Sequence, residues 1–159
     1  MKLKVYNKEK KAPQSNQPIQ PGACSVILNK KKQIFLHKRA DSELWALPGG
    51  VMESGESISS CCLREAKEET DLKIKIKKLI GVYTSPDCVF EWSDKKKSKV
   101  WQIFVVAFLS FVENDKFILN KESSEAGWFF EEEIGKMKTF PFVKEAIRDG
   151  LYKNKAYFD

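Results

Sequence analysis

Gly50-Val51-Met52-Glu53-Ser54-Gly55-Glu56, then Ser57 to Leu63, then Arg64-Glu65-Ala66-Lys67-Glu68-Glu69-Thr70-Asp71-Leu72 is the stretch whose pattern decides the fold. Glu56 to Glu69 contains no Pro or Gly and is filled with helix-compatible residues, which predicts a helix capped by Ser54 or Ser57. At about 100° per residue, Glu65, Glu68 and Glu69 share an arc of roughly 100° on one face. Like charges three and four residues apart destabilise a helix by about 0.2–0.5 kcal/mol per pair, so the triad is a poor choice on local grounds alone. Ile58, Cys62 and Ala66 form an apolar stripe whose arc overlaps that of the glutamates, which turns the acids toward the protein body. Carboxylates partly withdrawn from water need partners. Arg64 can supply one charge, best placed against Glu56, but a single arginine does not satisfy the rest. Mg²⁺ can, because it takes hard oxygen ligands at about 2.0–2.1 Å and keeps open positions for water or phosphate. For an isolated Glu-x-x-Glu-Glu a solvated acidic face is the commoner explanation; the overlap with the packing stripe weighs against it here.

Upstream, Ala23 to Leu28 and Gln33 to Arg39 flank the polar turn Asn29 to Lys32 and predict a hairpin with Phe35, His37 and Arg39 on one face. Trp45-Ala46-Leu47-Pro48-Gly49-Gly50 then forces a turn. Downstream, Leu72 to Tyr83 alternates apolar residues with lysines and predicts a strand with one wet face. Val100 to Val112 is the most apolar run and predicts one central strand buried on both faces, while Trp92 to Lys99 is read as a polar loop. Ala126 to Phe130 suggests a short strand and Phe142 to Leu151 a final amphipathic helix. Residues 1–20 mix Lys, Gln, Asn, Ser and Pro, as a flexible basic arm with a short edge strand at Leu3 to Tyr6 would, ahead of one domain over residues 21–159. Strands and helices interleaved in this way imply an α/β (α+β) fold, a mixed sheet covered by helices on both sides.

The 159 residues suit one domain, and 42% hydrophobic with 31% charged residues is ordinary for a globular chain. No window reaches the run of about 18 apolar residues that spans a bilayer, and no secretory signal is visible at the N-terminus, so the expected location is cytoplasmic. Cys24, Cys61, Cys62 and Cys88 lack zinc or disulfide spacing and read as reduced, buried residues; with His37 the one histidine, any metal should be held by oxygen. The net charge of +6 favours acidic partners without choosing among them. Its excess lies in Lys2 to Lys11, Lys73 to Lys78 and Lys95 to Lys99, where solvated faces are the plain explanation.

The segment from Gly50 to Leu72 resembles the Nudix box, with Gly50, Glu56, Arg64, Glu65, Glu68 and Glu69 at its fixed positions and Asp71 where the family has glycine. Six such matches arise by chance at about 10⁻⁷ per starting point. Asp tolerates the left-handed cap conformation that the family glycine serves. The resemblance implies a Nudix-like α/β/α sandwich and a pyrophosphohydrolase that uses Mg²⁺, or Mn²⁺, to cleave a diphosphate bond in a nucleoside diphosphate-linked substrate such as ADP-ribose, a nucleotide sugar or a nucleoside triphosphate. It implies Glu65, Glu68 and Glu69 as catalytic residues and metal ligands, aided by a main-chain carbonyl of Gly49 or Gly50, with Arg64 also catalytic and Glu56 structural in the box. One of the glutamates serves as base, and Glu122 or Glu125 is the acid expected from a later loop. Arg39 is the candidate phosphate contact, Phe90 and Trp92 are the candidate base contacts, and His37 is expected to be structural. Action on RNA 5′ ends and a non-catalytic ligand-binding module are the alternatives. Monomer and homodimer stay open.

Overall fold

In this computed structural model, which describes residues 2–9, 11–94 and 97–159, the fold is organised around β2 (Gly22–Leu28). Every residue of β2 is buried, which only a strand covered on both faces can achieve. Cys24, Val26 and Leu28 enter one core while Ala23 and Ile27 enter a second on the opposite face, as the two-residue period requires. Ser25, fully buried between them, is satisfied by Ser110 at 2.7 Å.

The large sheet runs β10 (Ser123–Phe129), β3 (Ile34–Arg39), β2, β9 (Val105–Val112), β6 (Ile74–Tyr83) and β11 (Tyr157–Phe158), with β4 (Trp45–Ala46) on β3 and β5 (Gly49–Val51) on β2. It is mixed: β2 and β9 are parallel, β6 and β9 antiparallel. The predicted hairpin is present but opens beyond Leu28 and Ile34, and β4 and β5 occupy the gap. Helix α1 (Ile58–Thr70) covers the face that carries Phe35 and Phe108. Helix α3 (Val143–Tyr152) covers the other, beside Ile80 and Leu109, and α2 (Glu131–Gly135) is a single short turn. No helix among the described residues is long and apolar enough to cross a membrane.

Two expectations change. The run Val100 to Val112 is two strands in different sheets: it ends β8 (Lys97–Gln102), turns at Ile103 and Phe104, and becomes β9. A continuous apolar run marks burial, and burial continues across the turn because Ile103 is itself buried. The segment read as a polar loop at Trp92 to Lys99 instead supplies β7 (Cys88–Asp94) and β8, an antiparallel pair whose exposed Lys97 and Lys99 are the wet side of strands. Lys95 and Lys96 of that basic group, and Lys10 of the N-terminal one, lie outside the described residues.

Residues 2–7 do not trail from the body. They form β1 (Lys2–Asn7), which pairs along its whole length with β7 and buries Leu3, giving a second sheet in the order β1-β7-β8. The expected edge strand at Leu3 to Tyr6 is therefore there, docked against apolar residues that its alternation matches.

Candidate active site

Helix α1 starts as its sequence dictates. Ser57 in extended conformation accepts a hydrogen bond from the Ser60 N–H at 3.1 Å, and Asp71 ends the helix with φ 60° and an N–H bonded to the Lys67 carbonyl. Cys62 and Ala66 are 1% and 0% exposed, so the apolar stripe faces the sheet, and the glutamates beside it are graded by depth. The side chain of Glu69 is 6% exposed, that of Glu65 15% and that of Glu68 60%.

Arg64 organises the outer part of this face. Its Nε and Nη2 donate to the two Glu56 oxygens at 3.0 and 2.7 Å, the predicted pair in bidentate form, and Nη1 reaches Glu65 at 2.8 Å and Glu68 at 3.2 Å. A further Nη2 contact, to the Val51 carbonyl at 3.1 Å, ties the helix to the end of β5.

The glycine pair sits where only glycine fits. A Cβ on Gly49 would lie 2.2 Å from the Ala23 carbonyl oxygen, and one on Gly50 would lie 2.5 Å from Glu65 Oε1. The Glu65 carboxylate thus rests against the main chain of Gly50, while Glu69 accepts the Gly49 N–H at 2.9 Å. That bond contributes about 1.5–3 kcal/mol, less than the several kcal/mol that removing a carboxylate from water costs. Burial accordingly raises the Glu69 carboxyl to about 8, with the neighbouring Glu65 charge adding to it. His37 Nε2 stands 3.6 Å away and does not offset this, since burial, then Arg39, lowers its pKa to about 4 and leaves it neutral. His37 is a satisfied core residue, 2% exposed with Nδ1 2.7 Å from Ser123 Oγ.

Glu69 is therefore a buried acid short of positive charge, beside Glu65 and the glycine main chain, and this all-oxygen donor set suits Mg²⁺ or Mn²⁺. Among the described residues no three acidic, His or Cys side chains converge into a ready-made cage.

Of the later acids, Glu125 is committed to Lys38 in the sheet, while Glu122 is the one whose charge is felt at Glu65 and Glu69. The charge of Glu122 acts on Glu65, Glu69 and Arg39, whereas Glu125 is drawn to Lys38 at 2.8 Å, opposite it in the sheet. A register shift between Ser123 and Glu125 separates the two, and nothing in the sequence spacing announces it.

Next to the glycine pair lies a cavity of about 390 Å³. Arg39, Gly49 and Gly50 line it, as do Phe90, Trp92 and Trp101. Both aromatic candidates are thus brought to the same space as the arginine. Sequence reasoning did not include Leu3, Gln102, Phe104 and Phe140, which complete the walls from distant parts of the chain. It also missed Asp41, which grips Arg39 through both oxygens at 3.0 and 2.5 Å and holds its guanidinium 5.8 Å from the centre of the Phe140 ring.

A profile of the NUDIX domain matches residues 18–149. The chain is 30% identical over 152 residues to an RNA pyrophosphohydrolase of Pelagibacter ubique, covering 86% of this chain and 96% of that protein. It is 47% identical over 68 residues to an ADP-ribose pyrophosphatase of Methanocaldococcus jannaschii, a match that covers 41% of this chain and only 40% of the archaeal protein. Among solved structures, the MutT protein of Methanosarcina mazei superposes with a TM-score of 0.67 at 22% identity, covering 88% of this chain and 99% of that one.

Proposed function

From the premise that this chain belongs to the Nudix family, we propose that it hydrolyses the diphosphate bond of a nucleoside diphosphate-linked substrate with the help of Mg²⁺ or Mn²⁺. The observation that carries this is the contact between the aromatic cavity and the Gly49–Gly50 main chain of β5, on which Glu65 and Glu69 rest. A nucleoside fits the apolar end of the cavity, and its phosphates then reach Arg39 and the acidic helix.

A diphosphate resists water because its own negative charge repels nucleophiles, so catalysis must neutralise charge, place the water and accept a proton. A bound divalent cation supplies charge neutralisation and lowers the pKa of water. Glu65, Glu68 and Glu69, with a carbonyl of Gly49 or Gly50, are the residues that would hold it. Arg39, its fork aimed by Asp41, binds phosphate oxygen through the N–H groups that Asp41 leaves free. Arg64 and Glu56 position the acids. A glutamate of this group, Glu122 included, accepts the proton, and the products are a nucleoside monophosphate and a second phosphorylated fragment.

Incubation of the protein with ADP-ribose, nucleotide sugars, nucleoside triphosphates and 5′-triphosphorylated RNA, each with Mg²⁺ or Mn²⁺, tests this through chromatography of the products. Release of a nucleoside monophosphate from a sugar nucleotide or ADP-ribose is the expected outcome; no cleavage of any of them overturns the proposal. A second reading, action on RNA 5′ ends, is favoured by the end-to-end match to the Pelagibacter protein. Turnover of triphosphorylated RNA that falls steeply with salt supports it, because phosphate contacts release counterions.

A further inference from the structure

We propose that β1 (Lys2–Asn7) and residues 15–17 form a substrate-positioning element, which holds one wall of the cavity and the residue that aims Arg39. The inference rests on the function proposed above and extends it to a segment outside the acidic helix.

The wall in question is the β7–β8 pair. A two-stranded hairpin is marginally stable in water and needs a third strand or a packing partner. β1 supplies that strand: Leu3 lies opposite Trp92 and Val5 opposite Phe90, which itself faces Trp101 across to β8. Directly paired residues project to the same side, so Leu3 and the aromatic residues share the face that borders the cavity. Tyr6 adds a hydrogen bond to Glu91 at 2.6 Å, and Glu91 also accepts the Ser98 hydroxyl, tying β1 through β7 to β8.

The outer edge of β8 is closed by the same segment. The Asn16 main-chain N–H donates to the Val100 carbonyl at 3.0 Å, its Oδ1 accepts the Val100 N–H at 2.9 Å and its Nδ2 donates to the Ser98 carbonyl at 3.0 Å. One residue thereby reproduces the donor and acceptor pattern of a fourth strand and covers an edge that would otherwise be open. The link to the polar end of the cavity is direct, since the Leu3 N–H donates to the Asp41 carbonyl at 3.3 Å and the Asp41 carboxylate holds Arg39. Both ends of the substrate space therefore lean on the N-terminal segment.

Asn16→Ala and Leu3→Ala in the full chain test the proposal, with Leu3→Met as the conservative control. Asn16 is exposed, so its replacement leaves the core intact if Leu3→Ala proves too disruptive. On whichever substrate the wild type cleaves, KM is expected to rise about tenfold in the alanine variants with kcat within about twofold, and Leu3→Met to restore KM. Quenching of tryptophan fluorescence by ADP, which Trp92 and Trp101 report without any turnover, is expected to shift to higher ADP by the same factor. An unchanged KM and quenching midpoint in folded variants overturns the proposal, as does a loss confined to kcat or a wild type whose fluorescence ADP does not alter. A wild type that is quenched by ADP yet cleaves nothing overturns the proposed activity and leaves this inference to stand or fall on the quenching shift.

Discussion

Glu69 is costly to bury and is one of the residues proposed to hold the cation, so its replacement separates chemistry from folding. Gln at position 69 keeps an acceptor for the Gly49 N–H, and Gln at the exposed position 68 disturbs no packing. Each variant is expected to melt cooperatively like the wild type while losing about 10²- to 10⁴-fold in kcat at saturating Mg²⁺. Near-normal rates in both would remove the metal site from α1. Glu56 makes the opposite contribution, because the Arg64 hydrogen bonds, with the Glu53 N–H, hold its carboxyl down at about 2 instead of 4.5. A depressed folded-state value means that stability is fully present above pH 4.5 and is lost as the pH falls from 4.5 toward 2. Urea midpoints should therefore fall less steeply with acid in Glu56→Gln than in the wild type across that window. Asp71 offers a gain: at φ 60° it carries strain that glycine lacks, so Asp71→Gly is expected to raise stability by about 0.5–1 kcal/mol in urea unfolding without changing turnover.

At the scale of the element, α1 was legible because its information is local. Caps, stripe and acidic arc all lie within one periodic segment, and the bidentate Glu56–Arg64 pair lies across eight residues. Removing the Ser57 cap by Ser57→Ala should lower stability by about 1 kcal/mol, read as a fall in Tm of about 2–4 °C. The cavity was legible only in part. Arg39, Phe90 and Trp92 could be nominated by type and period, but Leu3 and Phe140 reach the same space through long-range pairing that no local pattern encodes. The break at Ile103 and Phe104 was hidden for a related reason. Hydrophobicity records that a residue is buried and not which of two sheets buries it, so β8 and β9 read as one strand. That Glu125 lies opposite Lys38 likewise depends on the register of β10 on β3, which the sequence spacing does not announce.

Across the whole molecule, the candidate metal site is also a junction. Glu69 comes from α1, Gly49 from β5 and His37 from β3, and Glu65 of the same helix rests on the main chain of β5. A cation held there would join elements distant in sequence and would be absent from the unfolded chain, so its binding should stabilise the fold as a unit. At a concentration one hundred times its Kd the linkage amounts to about 2.7 kcal/mol. For a chain of this size each kcal/mol moves Tm by about 2–4 °C, which sets the expected rise with Mn²⁺ or Mg²⁺ at roughly 5–10 °C. Calorimetry needs no substrate, so it probes the site even where the substrate is unknown. The rise should shrink by more than half in Glu69→Gln and persist in Glu125→Gln, whose carboxylate is committed to Lys38. An equal rise in both variants would place the ion elsewhere on the molecule and detach the acidic helix from metal binding.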